Sequence, residues 1–118
     1  MTLDELCQLL SAKFIVGGDR HENEFERVCG SDLMSDVLAY LNNQRALLLT
    51  GLSNNQVVRT AEMMDLTGIV FVRGKMPDQL TTDLARDKGI PLLVTPYSMF
   101  EACGKLYATN RFVCSIEN

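Results

Sequence analysis

Regularly spaced apolar residues near the N-terminus predict a first helix. They recur at intervals of three and four, as expected for one buried face of an α-helix. Thr2, with Glu5 three positions later, has the spacing of a capping box, so we expect the helix to span residues 2–11. The apolar positions are Leu3, Leu6, Cys7 and Leu10.

The next segment predicts two short strands around a polar turn. Lys13–Val16 reads as a strand that ends at Gly17 and Gly18, because paired glycines favour a break in regular structure. Polar residues fill positions 19–24, and a second strand over about residues 25–29 returns from that turn.

A second helix and an apolar strand follow. Ser31 and Asp32 carry side chains that cap helix N-termini, so we place the helix start there. Asn42 and Asn43 end the helix, and residues 46–49 form an unbroken apolar run, typical of a strand covered on both faces. The predicted buried stripe of this helix is Leu33, Met34, Val37, Leu38 and Leu41.

From residue 54 onwards, helices and strands alternate. Pro77 suits the first turn of its helix, and Gly89 suits the position just after that helix. Residues 111–118 form either a last short strand, through residues 112–114, or a loose tail. The other predicted elements are a helix over 54–64, a strand over 68–72, a helix over 77–88, a strand over 91–94 and a helix over 98–107.

This alternation predicts an α/β fold, a three-layer sandwich with a mainly parallel sheet between helices. The chain has 118 residues, with 47% hydrophobic and 22% charged residues, an ordinary globular balance. No repeat or shift in composition divides it. We therefore expect a single domain over residues 1–118.

Charge and hydropathy exclude several classes of partner. The net charge of −4 offers no basic face for phosphates, so we expect no nucleic-acid partner. The first residues lack the basic start and apolar run of a signal peptide, and no apolar stretch approaches about 18 residues. We expect a cytoplasmic protein without a membrane partner.

Four cysteines, Cys7, Cys29, Cys103 and Cys114, occur without a CxxC motif. Their spacing differs from that of zinc ribbons and ferredoxins, so we predict neither a metal site nor a cofactor. Reduced thiols packed as small apolar groups account for them. A metal or cluster site assembled by folding and a redox role are the alternatives.

Three segments that follow predicted strands are candidates for binding a ligand. In open parallel sheets, ligands gather outside the carboxyl ends of the strands. After the strand over residues 46–49, hydroxyls, carboxamides and free amides at a helix start favour an anion, or else they only cap that helix. The candidate residues of this segment are Thr50, Gly51, Ser53, Asn54, Asn55 and Gln56.

The other two segments add cations and an aromatic ring. After the strand over residues 68–72, two cations beside a glycine suit a carboxylate or phosphate, or else they form a solvated turn paired with Asp78 or Asp83. After the strand over residues 91–94, a hydroxyl and a ring contact a ligand, or else they serve capping and packing. The candidates are Arg73, Gly74 and Lys75, and then Thr95, Tyr97 and Ser98.

The sequence offers no catalytic constellation. The single histidine, His21, lies in a charged turn far in sequence from any serine or cysteine with the surroundings of a nucleophile. Neither a Walker A motif nor GxGxxG is present. We predict no catalytic residue and no enzymatic activity.

Four stretches carry a resemblance to a known family. They read SDLMSDVL at residues 31–38, LLLTG at 47–51, GIVFVRGKMP at 68–77 and DKGIPLLVTP at 87–96. Over residues 31–107 the chain resembles the DRTGG domain. That module is similar to the N-terminal domain of HPr kinase/phosphorylase and also occurs in phosphotransacetylase-like and CBS-containing proteins.

The resemblance implies a non-catalytic regulatory or ligand-sensing module, commonly dimeric, with an α/β sandwich like that of HPr kinase N-terminal domains. It implies no phosphotransfer. Two positions depart from the family pattern: the Asp-Arg pair is missing near residues 52–55, and Arg73 and Lys75 flank Gly74 where the family has Gly-Gly before proline. Because of these departures, we do not assign the ligand of other family members to this chain.

Three functions remain open at this point. The leading hypothesis is a homodimer that senses a small anionic metabolite or nucleotide, or that mediates a protein interaction, through the three segments above. Similar stand-alone proteins are associated with iron-hydrogenase gene clusters. This association and the four cysteines suggest an alternative, an iron-sulfur or redox accessory protein with a hydrogenase-system partner. The third is a structural partner of a larger enzyme.

Overall fold

A computed structural model describes residues 1–40 and 45–112. Their helices are α1 (Leu3–Leu10), α2 (Met34–Tyr40), α3 (Asn55–Met64), α4 (Gln79–Lys88) and α5 (Met99–Tyr107), and a short 3₁₀ helix spans Gly18–Arg20. Their strands are β1 (Lys13–Val16), β2 (Arg27–Gly30), β3 (Ala46–Thr50), β4 (Gly68–Phe71) and β5 (Leu92–Val94). The predicted stripe residue Leu41, the predicted helix end at Asn42 and Asn43, and the part of the predicted last strand beyond Phe112 lie outside the described residues.

The five strands form one sheet in the order β1-β5-β4-β3-β2. Strands β2 to β5 are mutually parallel, and β1 pairs with β5 in the antiparallel direction. The prediction of a three-layer α/β sandwich with a mainly parallel sheet is confirmed. Because β2, β3, β4 and β5 are neighbours, their carboxyl ends lie side by side along one edge of the sheet.

The second strand does not return alongside the first. Strands β1 and β2 form opposite edges of the sheet, because β1 pairs with β5 and β2 pairs with β3. The polar turn and the 3₁₀ helix between them therefore belong to a connection that spans the sheet. A glycine-containing turn between two β-like runs has the local signature of a hairpin, and only the long-range pairing excludes it.

Two apolar clusters cover the two faces of the sheet. Helices α2, α3 and α4 pack on one face through residues such as Val37, Val57 and Ala85. Helices α1 and α5 pack on the other face through residues such as Leu6 and Ala102. All five residues of β3 are buried, as expected for a central strand covered by helices on both sides.

The helix signals of the sequence place most ends within two residues. The Thr2 and Glu5 capping box is present, and Asn54 and Ser98 cap α3 and α5 as predicted. Gly89 ends α4 in a left-handed conformation, also as predicted. Pro77, in contrast, does not enter the first turn, since Asp78 is the N-cap and accepts a bond from Thr81 N–H.

The start of α2 differs from its prediction. The helix begins at Met34, and the buried side chains are Met34 and Val37. Leu33 and Leu38 are 58% and 40% exposed, so the predicted stripe is wrong at these two positions. Ser31 forms a local turn with Leu33 N–H, and the carboxylate of Asp32 bonds across to the segment after β3 instead of capping the helix.

An ion pair ties the last described residues to the start of α1. Arg111 donates to Glu5 at 2.7 Å, and this bond, with that from Thr2 N–H, lowers the pKa of Glu5 from 4.5 to about 2. Since the folded protein favours the ionised form, Glu5 stabilises the fold above pH 4.5 and loses that contribution as pH falls toward 2.

We expect Glu5→Gln to reduce the loss of stability on acidification. Urea denaturation of the wild type and of Glu5→Gln at pH 7 and at pH 3 measures this, with Glu62→Gln, an exposed carboxylate paired with Lys88, as the control. The variant is expected to be less stable than the wild type at pH 7 and closer to it at pH 3. Equal losses at both pH values would contradict the linkage.

Candidate functional site

The carboxyl edge of the parallel strands carries an open cleft of about 490 Å³. Its walls come from the ends of β2 and β4 and from the first turn of α5. Pockets that bind small molecules fall in the range of about 300–1,000 Å³, so a metabolite or a mononucleotide fits by size. The lining residues are Gly30, Ser31, Asp32, Val72, Arg73, Ser98, Met99 and Phe100.

Asp32 fills the position that the sequence offered to an anion. Its Oδ1 accepts the Gly51 N–H at 2.6 Å and the Thr50 hydroxyl at 3.0 Å. The Thr50 hydroxyl also accepts Leu52 N–H at 3.1 Å, and the Asn54 side chain accepts Gln56 N–H. The Thr50 hydroxyl and the Gly51, Leu52 and Gln56 amides are therefore satisfied inside the protein, and the anion at Thr50 and Gly51 is the chain's own carboxylate.

Gly51 lets a carboxylate and a guanidinium approach the same point. A β-carbon at Gly51 would lie 3.3 Å from Arg73 Nη2 and 3.4 Å from each carboxylate oxygen of Asp32. Among residues 1–40 and 45–112, the Arg73 side chain forms no ion pair. The exposed guanidinium therefore remains available to an anion from solution.

The backbone at Arg73 is held in a conformation that favours glycine. Arg73 has a φ of +58° and Gly74 a φ of +66°, and Lys75 N–H closes the turn on Val72 O at 3.2 Å. Two left-handed residues in succession define a type I′ turn, which Gly, Asn and Asp dominate. For other residues the left-handed conformation costs roughly 1–2 kcal/mol.

The loop after β5 fixes this turn in place. Arg73 N–H donates to Tyr97 O and Gly74 N–H to Thr95 O, each at 2.8 Å. The amides of Arg73, Gly74 and Lys75 are thus bonded within the protein, and of these three residues Arg73 alone lines the cleft. Strained backbone that is held by its surroundings is a feature of ligand-binding sites.

We expect Arg73→Gly to stabilise the protein by about 0.5–1 kcal/mol, because relief of the left-handed strain exceeds the entropy that glycine adds to the unfolded chain. Urea denaturation measures the difference. Lys75→Gly, two positions later in the same turn and outside the positive-φ residues, is the control and should not stabilise. Equal destabilisation by both substitutions would refute the strain at Arg73.

The third predicted segment is mainly structural. The Thr95 hydroxyl is buried and donates to Leu10 O at 2.6 Å, which links β5 to the last turn of α1. The Ser98 hydroxyl accepts Glu101 N–H and donates to the Glu101 carboxylate, so it caps α5. The half-buried ring of Tyr97 lies under Lys105 Nζ, 4.9 Å from the ring centroid.

The structure therefore separates the predicted site residues into two groups. Arg73 and Ser98 line the cleft, and Gly51 lies beneath the Arg73 side chain. The remaining predicted residues, which lie outside the lining, are Thr50, Ser53, Asn54, Asn55, Gln56, Gly74, Lys75, Thr95 and Tyr97. Residues 30–32, 72 and 99–100 join the lining without having been among the predicted site residues.

The missed residues carried a usable signal. Residues 30–32 follow β2 in the same way that the predicted segments follow β3, β4 and β5, so the rule that ligands gather at carboxyl ends applies to them equally. Phe100 carried a weaker signal, an aromatic residue in the first turn of the helix after β5. Phe100 is 87% exposed, so packing within the chain does not account for an aromatic residue at this position.

A second cavity, of about 360 Å³, opens at the other end of the strands. Two of its three cations are paired within the protein: Lys88 with Glu62 at 3.1 Å, and Arg45 with Glu24 and Glu26. Arg20 lies against Gly89, whose β-carbon, if present, would be 2.8 Å from its guanidinium. An external anion would have to displace these carboxylates to reach Lys88 or Arg45, so this cavity is the weaker candidate.

The cysteines lie apart from any cluster of ligands. Cys7, Cys29 and Cys103 are free thiols, and burial raises the pKa of each, so they are protonated near neutral pH. In the part of the chain that the structure describes, no three His, Cys, Asp or Glu side chains come together as metal ligands. Cys114 lies outside the described residues.

His21 is exposed in the turn after the 3₁₀ helix, and its carbonyl accepts Asp4 N–H at 2.8 Å. It stands apart from the residues that line the cleft. Across residues 1–40 and 45–112, no helix has the length and apolar character needed to cross a membrane.

The sheet and its cleft define a class of protein, an open three-layer α/β domain with a ligand-sized cleft at the carboxyl ends of its parallel strands. A family model for the DRTGG domain matches residues 5–109. The chain belongs to the DRTGG domain family, and the matched residues extend beyond the stretch, residues 31–107, over which the sequence resemblance was recognised.

A solved structure shares the fold. It is the crystal structure of the CBS and DRTGG domains of the regulatory region of Clostridium perfringens pyrophosphatase, complexed with the activator diadenosine tetraphosphate. The TM-score is 0.68 at 17% sequence identity, over 89% of this chain. The chain spans less than half, 45%, of that structure. A comparison with curated proteins found no match.

Proposed function

We propose that this chain is a non-catalytic regulatory module that binds a small anionic metabolite or nucleotide in the cleft at the carboxyl ends of its strands. One observation carries the proposal: an exposed arginine, without an ion pair among the described residues, occupies a strained left-handed position at the rim of a ligand-sized cleft. Glycine would be more stable at position 73, so the arginine there lowers the stability of the fold. A role for its guanidinium in binding accounts for that cost.

The family supports a regulatory role. The DRTGG domain of the similar structure belongs to a regulatory region that was crystallised with a nucleotide activator. In this proposal the chain acts by changing its affinity for a protein partner when the cleft fills. Lys75, two residues after Arg73, is exposed and lies outside the lining of the cleft.

A thermal-shift screen tests the proposal, since a ligand that prefers the folded state must stabilise it. The probes are inorganic phosphate, ribose 5-phosphate, nucleoside mono-, di- and triphosphates, and simple carboxylates. We expect at least one anion to raise Tm by several degrees in the wild type and in Arg59→Gln, an arginine on the exposed side of α3.

Arg73→Gln should abolish this shift, because it removes the charge and keeps the left-handed backbone unchanged. Equal shifts in Arg73→Gln and the wild type would overturn the assignment of the cleft. No shift with any anion would overturn the proposed function and would favour a role in protein interaction.

A homodimer is part of the same proposal. Strands β1 and β2 are each four residues long and form the two edges of the sheet, where a second copy can pair. Light scattering at micromolar concentration should give about twice the mass of the chain. A mass equal to that of one chain would refute the homodimer and would not affect the proposal that the cleft binds an anion. The hydrogenase association stays a prediction.

A further inference from the structure

The cleft combines three kinds of recognition chemistry. Arg73 supplies a cation, Asp32 supplies a carboxylate, and Phe100 supplies an aromatic ring, and all three line the same 490 Å³ space. A simple inorganic anion would use only the first of these groups. We infer that the ligand is a nucleoside monophosphate, with its phosphate on Arg73, its ribose hydroxyls on Asp32 and its base on Phe100. This inference rests on the proposed function.

The exposed ring provides the argument for the base. Phe100 is 87% exposed, although it lies in the first turn of α5, beside the cleft. Burying such a ring is favourable, and every nucleobase has a planar face that stacks on it. A ligand that stacks there covers a ring that the protein itself leaves in water.

The free oxygen of Asp32 provides the argument for the ribose. Oδ1 accepts both internal bonds, from Thr50 and Gly51, and no described residue donates to Oδ2. A carboxylate only accepts hydrogen bonds, so the ligand must present a donor to it. Ribose hydroxyls are donors that acidic side chains bind at the carboxyl ends of parallel strands in nucleotide-binding folds.

The charge of the cleft limits the number of phosphates. Arg73 is the cation of the lining, and Asp32 adds a negative charge beside the same point above Gly51. A second or third phosphate would meet the Asp32 carboxylate without a further lining cation to pair with. A single phosphate in a fork of hydrogen bonds to Arg73 avoids that repulsion.

Calorimetric titration of the full chain with adenosine 5′-monophosphate and three truncated analogues tests the inference. Ribose 5-phosphate lacks the base, adenosine lacks the phosphate, and the 2′,3′-dideoxy monophosphate lacks both hydroxyls. Loss of the base should weaken binding at least about fivefold, the lower end of one base-on-aromatic stack. Loss of both hydroxyls should weaken it about tenfold or more, since their acceptor is charged.

The protein variants locate each contact. Phe100→Leu should weaken the nucleotide at least about fivefold and leave ribose 5-phosphate unchanged. Tyr107→Leu is the matched control, since it removes a ring that is 71% exposed at the other end of the same helix. Both substitutions lie on exposed surface, so the fold is expected to persist.

The outcomes separate this inference from the proposed function. If the nucleotide and ribose 5-phosphate bind equally, depend on Arg73 and ignore Phe100→Leu, the inference is wrong and the proposed function stands. Tighter binding of the di- or triphosphate through Arg73 would overturn the single-phosphate assignment alone. If no anion of the screen binds, both are wrong.

Discussion

Leu48→Ala is expected to destabilise the protein by about 2–5 kcal/mol, the cost of leaving a cavity in place of a buried leucine. Leu48 is fully buried in the interior strand β3, between Cys29 of β2 and Ile69 of β4, on the face that α2, α3 and α4 cover. Because small domains have roughly 5–15 kcal/mol of total stability, this single change removes a large share of it.

Urea denaturation measures the effect, with Leu80→Ala as the control. Leu80 is 75% exposed on α4, so its truncation should change the free energy of unfolding by no more than about 0.5 kcal/mol. Similar losses from the two substitutions would show that β3 is not the centre of the core.

Thr95→Val is expected to destabilise the protein by about 1–3 kcal/mol without changing ligand affinity. The valine keeps the shape of the side chain and removes the hydroxyl that donates to Leu10 O at 2.6 Å in a buried position. The partner carbonyl loses that bond where water does not replace it. Denaturation and calorimetric titration of the same variant measure the two quantities.

Thr95→Ser is the matched control, since it keeps the hydroxyl and removes only a methyl group worth about 0.8 kcal/mol. If Thr95→Val is as stable as the wild type and binds its anion more weakly, the hydroxyl faces the ligand, and the structural role assigned to it is wrong.

The fold was predictable because its signals are local. Capping by Thr2, Asn54 and Ser98, the left-handed Gly89 and the apolar run of β3 each depend on a few neighbouring residues. The hydrophobic periods then fix element type. The alternation of helices and strands accordingly gave the layers and the parallel direction of the strands.

The order of the strands was not predictable in the same way. Strand β2 belongs beside β3, and β1 beside β5, through pairings between residues far apart in sequence. The turn at Gly17 carries the local features of a short return and gives no information about those partners. The sequence alone therefore does not identify which two strands form the edges of the sheet.

The site was predictable only in part, for the same reason. Arg73 and Ser98 were predictable because they follow strands whose parallel direction the sequence implied, and both line the cleft. The segment after β3 offered donors for an anion, but Asp32, 18 residues upstream of Thr50, supplies that anion from within the chain. Sequence alone shows which groups are donors and does not show which are already satisfied.

The most direct test of the central claim is a map of amide chemical shifts by NMR during titration with adenosine 5′-monophosphate. We predict that the largest changes fall on residues 30–32, 72–74 and 98–100, around the cleft, and that Arg73→Gln removes them. Changes centred instead on Glu62, Thr67 and Lys88, at the opposite cavity, would contradict the account, as would a spectrum that the nucleotide leaves unchanged.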